Sequence, residues 1–203
     1  SRNITYAGNC IGTGAVVPRD QAVVLDNKMG DCKDHSTLLQ AMWAAAGIPS
    51  EQVLVNAGRE YQLPKTAVVS MVNHAMNYIP SLQLYADATA KEVPFGLVPD
   101  ALWGKPVIHV GAAKALARIP DDDHMTNQQR LHLNMKLEPS GAAKGTIKVW
   151  LKGIRAAMTR AYFRDMDPDT LREAARQSIQ AAGYRGRGTL ERGKTEGLSD
   201  TYE

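Results

Sequence analysis

The sequence predicts an α+β protein, and three observations carry that reading. A stretch after Asp31 places apolar residues at helical spacing, several short apolar runs are bounded by Pro, Gly and Ser, and the chain changes character near residue 112. With 203 residues, 44% of them hydrophobic, the chain can bury a core without disulfides or a metal. The net charge of +3 is small, and basic residues are dispersed until Arg185, Arg187, Arg192 and Lys194, which argues against nucleic-acid binding. No apolar run approaches the roughly 18 residues that a membrane span needs.

From Ser1 to about Met29, Gly8, Gly12 and Gly14 point to loops and short strands. A helix follows. Asp31 suits its cap, while Cys32, His35, Leu38, Leu39, Met42, Trp43 and Ala46 recur on one face and Gly47-Ile48-Pro49 stops it. Gln52 to Asn56 reads as a short buried strand, and Val68 to Ile79 and Leu82 to Ala88 as two more, separated by Pro80-Ser81. Val93 to Val110, with three prolines, reads as an ordered wrap of loops. The small residues after Ala112 and the acidic run Asp121-Asp122-Asp123 place a domain boundary there, giving domains 1–111 and 112–203. In the second, Leu131 to Leu137 and Ile147 to Leu151 alternate as a half-buried hairpin, and Asp167-Pro168 opens a helix that closes at Gly183. The tail from Tyr184 is too polar to fold alone and is expected to fray or to be a strand without partners.

The chemistry concentrates in Gly30 to Leu39. A cysteine in the first turn of a helix meets unpaired backbone N–H groups and the positive helix end, which favour a thiolate and later a tetrahedral oxyanion. The competing reading makes Cys32 a small apolar residue at the start of a core helix. Downstream, a hairpin centred between Pro80 and Ser81 sets His74 directly opposite Asp87, with Cβ atoms roughly 5 Å apart. The carboxylate could then orient the imidazole and leave its other nitrogen for a thiol, whereas His74 alone would read as a core histidine. His35, one turn from Cys32, is a rival base, and Asp34 reads as first-turn helix stabilisation. Cys10, Cys32, His35 and His74 lack the short spacing of a metal site, so neither metal nor cofactor is expected. Folding that brought Cys10 near Cys32 would let oxidation link them.

The segment Gly30 to Leu39, Gly47-Ile48-Pro49, Asn73-His74-Ala75 and Asp87-Ala88-Thr89 together resemble the bacterial transglutaminase-like family, over roughly Tyr6 to Val110. The resemblance implies a papain-like core with Cys32, His74 and Asp87 as catalytic residues, the cysteine-bearing helix lying on an antiparallel sheet. It further implies thioester-mediated acyl transfer on amide bonds of peptide or protein substrates and an extracytoplasmic setting. The alternative is a catalytically silent binding or structural domain. Two departures stand out: Met76 replaces an aromatic common two places after the histidine, and the family's core begins further upstream of the cysteine than this chain allows. Asn9, Gln21 and Asn27 are candidates for a side-chain donor to the oxyanion hole.

Overall fold

The computed structural model describes residues 3–8, 12–58, 60–66, 68–111, 116–121 and 125–203. The chain is mixed α+β and divides into two compact units, Ser1–Asp122 and Asp123–Glu203.

In the first unit, β1 (Thr5–Tyr6) is followed by α1 (Gln21–Asn27), whose cap Asp20 accepts from Ala22 N–H at 2.8 Å. Next, β2 (Met29–Gly30) pairs with β1 in parallel and delivers the chain to α2 (Cys32–Ala45). The start of α2 is fixed by a capping box. Asp31 accepts from the N–H groups of Lys33 and Asp34, and the Asp34 carboxylate accepts from Asp31 N–H at 3.0 Å. Gly30 is required there, because a methyl group would come within 2.9 Å of Asp34 Cβ. At the far end Gly47, at φ +73°, donates to Ala44 O, and Ile48 N–H reaches Trp43 O at 2.8 Å, which is a Schellman closure.

The remaining strands are β3 (Glu51–Val55), β4 (His74–Ile79), β5 (Leu84–Ala86), β6 (Pro106–His109) and β7 (Leu116–Arg118). They form one antiparallel sheet in the order β5-β4-β3-β6-β7. Pairing of β6 with β7 carries this unit past residue 111. One core cluster joins Val53, Val55, Met76, Tyr85, Leu102, Val107 and Ile119. Each fully buried Val or Met there contributes about 1.5–3 kcal/mol relative to exposure. The expected loop wrap from Val93 to Val110 contains β6, which tolerates Pro106 because it is the first residue of the strand.

The strand expected from Val68 begins at His74, preceded by a 3-10 turn at Val69–Met71, and the strand expected from Leu82 is only Leu84–Ala86. Pro80–Leu82 forms another 3-10 turn, with Gln83 left-handed at φ 52°, so Ile79 pairs with Leu84. The turn is centred one residue later than expected, and Asp87 falls level with Met76 rather than with His74. The apolar stripe of α2 is also less buried than its periodicity predicts. Asp34, His35 and Ser36 are its buried residues, Leu38, Leu39 and Trp43 are half-buried, and Met42 is 61% exposed. The helix is clasped to the sheet by polar groups near its start instead: Ser36 Oγ donates to Met76 O, and Asn77 Nδ2 donates to Ser36 O, both at 3.0 Å.

The second unit holds β8 (Gln128–Leu137) and β9 (Ala143–Lys152), paired along their full length, then α3 (Ile154–Arg164), α4 (Pro168–Ala181) and β10 (Thr201–Tyr202). The hairpin is not half-buried as expected. Leu131, Leu133, Met135, Leu137 and Ile147 are all exposed. The helix α4 starts at Pro168 under the Asp167 cap and ends at Gly183, as its sequence signals predict. The helix α3 was not anticipated, because no local side chain caps it; Asn127 Oδ1, distant in sequence, accepts from Ile154 N–H at 2.8 Å. The tail does find a partner: Tyr202 is buried and pairs with Leu151 in β9.

Asp34 also binds Arg19, through Nε at 2.9 Å, Nη2 at 2.7 Å and the backbone N–H at 2.7 Å. Burial pushes its carboxyl up, but the Asp31 and Arg19 hydrogen bonds and the guanidinium charge outweigh this and hold it below the usual range. Asp34→Ala should cost on the order of 3 kcal/mol in urea denaturation at pH 7, since it orphans a buried donor and breaks the pair. With the folded-state pKa depressed, that contribution is complete above the unfolded value of 3.8 and fades as pH falls through the folded one. The difference between variant and wild type should therefore shrink in acid.

Candidate active site

Helix α2 and strand β4 run side by side in the same sense. Ser36 meets Met76 and Asn77, and one helical turn earlier Cys32 meets His74 and Ala75. The spacing matches, since four helical residues advance about 6 Å and two strand residues about 6.6 Å. The clasp at Ser36 thereby sets the level of the thiol against the strand.

Cys32 is a half-buried free thiol in hydrogen-bond contact with the His74 ring. His74 Nε2 meets Asp87 Oδ2 at 2.9 Å, which leaves Nδ1 for the sulfur. The side chains of His74 and Asp87 are 12% and 5% exposed. Although the register offsets the pair by two residues, diagonal neighbours keep to one side of the sheet and lie within reach. Asp87 Oδ1 is occupied separately, accepting from Thr89 N–H at 2.8 Å and from Thr89 Oγ1 at 2.7 Å. The ladder between β4 and β5 extends back only to Asn77, and the Ala75 N–H is directed to the Cys32 sulfur.

These contacts set the charges. Burial pushes the Cys32 thiol up, and the negative charge of Asp31 adds to this. The hydrogen bonds from His74 and Ala75 and the charge of His74 prevail, so the net shift is downward. Lys33 Nζ pairs with Asp31, tempering the opposing carboxylate. Burial pushes His74 down, but the hydrogen bonds and charges of Asp87 and Cys32 raise it to about 9. Burial likewise raises Asp87, while His74 and Thr89 bring its carboxyl below the usual value. The arrangement favours a thiolate beside an imidazolium.

The structure thus brings together Cys32, His74 and Asp87. The rival His35 is turned away from this chemistry. It is buried, with Nδ1 2.9 Å from Asp31 O and Nε2 3.4 Å from Ile4 O. Gln21 stands in the first turn of α1 and Asn27 at its last residue. Cys10 and Asn9 lie outside the described residues, as do Asp122 and Asp123 of the acidic run. Among the described residues, no group of three or more His, Cys, Asp or Glu side chains is placed to hold a metal ion. No described helix is long and apolar enough to cross a membrane.

Sequence reasoning missed the Ala75 N–H, the Ser36–Asn77 clasp and Thr89. Only Thr89 had a local signal, because a hydroxyl residue two places after an aspartate is a turn-forming pattern. Further along the sheet face that carries His74 lies a second polar row. His109 sits between Glu51 Oε2 at 2.7 Å and Tyr85 OH at 3.0 Å, and Tyr78 packs on both rings. Burial, Tyr78 and Glu51 push the Tyr85 hydroxyl up to about 12. Comparison of the chain with protein-family models, curated proteins and solved structures finds no match.

The charge arrangement has a direct readout. Iodoacetamide should alkylate Cys32 at pH 6 on the order of tenfold faster in the folded chain than in the urea-unfolded chain, by peptide mass spectrometry. Equal rates would exclude a thiolate held by His74.

Proposed function

We propose that this chain is a transglutaminase-like thiol acyltransferase or hydrolase that acts on amide bonds of peptides or proteins through a thioester on Cys32. The observation that carries this reading is the unbroken contact from the Cys32 thiol through His74 to Asp87, built on a helix start, the first residue of β4 and the residue that follows β5. A papain-like core is the fold this reading assigns to the first unit. The family's extracytoplasmic setting belongs to the same proposal.

The steps follow from the residues. The Cys32 thiolate attacks the amide carbonyl carbon, forming the C–S bond and placing the negative charge on oxygen. That oxygen is met by the Cys32 N–H at the start of α2, a first-turn donor without an intrahelical acceptor. The Cys32 N–H is the one next to the sulfur, while those of Lys33 and Asp34 are engaged by Asp31. His74 then gives its proton to the leaving nitrogen as the C–N bond breaks and the thioester forms. Water or an amine attacks the thioester, His74 accepts its proton, and Cys32 leaves as thiolate beside the restored imidazolium. Asp87 keeps the ring oriented throughout.

Activity can be read as incorporation of a fluorescent primary amine into casein, with total ammonia release measured in parallel, its excess over the incorporated amine registering hydrolysis. Cys32→Ala should abolish both signals. His74→Ala should lower them about 10³-fold or more, and Asp87→Ala should leave measurable activity because nucleophile and base remain. Activity persisting in Cys32→Ala would overturn the mechanism. The rate should also fall as pH rises through about 9, where His74 loses the proton that the leaving nitrogen needs.

A further inference from the structure

We infer that Thr89 is a positioning residue that holds the Asp87 carboxylate in place for His74, an assignment that rests on the thiol reading above. Asp87 lies one residue beyond the end of β5, so the strand ladder does not fix it. Its terminal torsion is intrinsically broad, and a carboxylate there can pivot over a wide range. Thr89 removes that freedom. Two bonds to Oδ1, from Thr89 N–H at 2.8 Å and Oγ1 at 2.7 Å, determine where Oδ2 lies, and Oδ2 is the atom that meets His74 Nε2 at 2.9 Å. The two oxygens have separate tasks: one anchors and the other orients the ring.

The Asp87 side chain is only 5% exposed, so water is poorly placed to replace a lost donor. The Thr89 N–H bond is backbone and survives any non-proline substitution, which makes Oγ1 the removable half of the anchor. The charged groups acting on His74 are Asp87 and Cys32, with Asp31 acting in turn on Cys32. Loosening Asp87 therefore weakens the imidazolium and, through it, the thiolate.

The test uses the pH profile of Cys32 alkylation by iodoacetamide, a readout that a purely structural role would not move. Thr89→Val keeps the shape and removes the donor, while Thr89→Ser keeps the donor. In Thr89→Val the pH of half-maximal rate should rise by about 0.5–1, within the range that loss of one charge-assisted hydrogen bond supports. Thr89→Ser should restore the wild-type profile. A Val profile matching wild type would overturn the assignment, as would a Ser profile matching Val. A Val variant unable to fold would make Thr89 structural and overturn it equally. A wild-type Cys32 that titrates like a free thiol would instead overturn the thiol reading itself, and the role of Thr89 with it.

Discussion

The buried carboxylate of Asp34 is the constraint on which the rest of the first unit depends. It accepts from Asp31 N–H, from Arg19 N–H and from two nitrogens of the Arg19 guanidinium, so a single side chain ties the loop before α1 to the first turn of α2. A buried charge is tolerated only when paired and hydrogen-bonded, and here both conditions hold. The direction of α2 at its start then follows, and so does the placement of Cys32 two residues before Asp34. The nearby Gly30 leaves room for this packing, since its missing side chain is what lets Asp34 approach.

The site is built as two half-assemblies that meet. One is the start of α2, which brings a thiol to the positive end of a helix. The other is the end of β4 with the segment after β5, which brings an imidazole backed by a carboxylate. Neither half alone accounts for the charge state. Burial opposes ionisation of Cys32, His74 and Asp87 in each case, and their mutual contacts outweigh it. The ionised forms depend on one another, which is a coupled arrangement and not three independent shifts. The polar clasp of Ser36 and Asn77 keeps the halves in register while the apolar stripe of α2 stays largely half-buried or exposed.

Much of this was legible in the sequence where the signals are local. The Asp31 cap, the Gly47 closure of α2 and the Asp167-Pro168 start of α4 are each decided within a few residues. The grouping of Cys32, His74 and Asp87 was readable because residue type and same-face parity survive an error of register. The rest depended on distant partners. Arg19 and Asp34 are 15 residues apart and share no periodic pattern. The start of α3 relies on Asn127, 27 residues away, and β6 was hidden by prolines that suggest loops. Periodicity also overstated the burial of α2, because it marks which face is apolar and says nothing of what lies opposite it.

The four-residue turn from Pro80 to Gln83 has a consequence for how this chain can vary. Strand side chains alternate with a period of two, so a one-residue slip of β5 against β4 at that turn would send Asp87 to the opposite side of the sheet from His74. A slip of two residues would return it to the same side, displaced along the strand by two residues. A change of length at this loop thus keeps the two residues on one side only if it is taken up within the turn or passes into β5 as an even slip, whereas an odd slip demands a compensating bulge in β5.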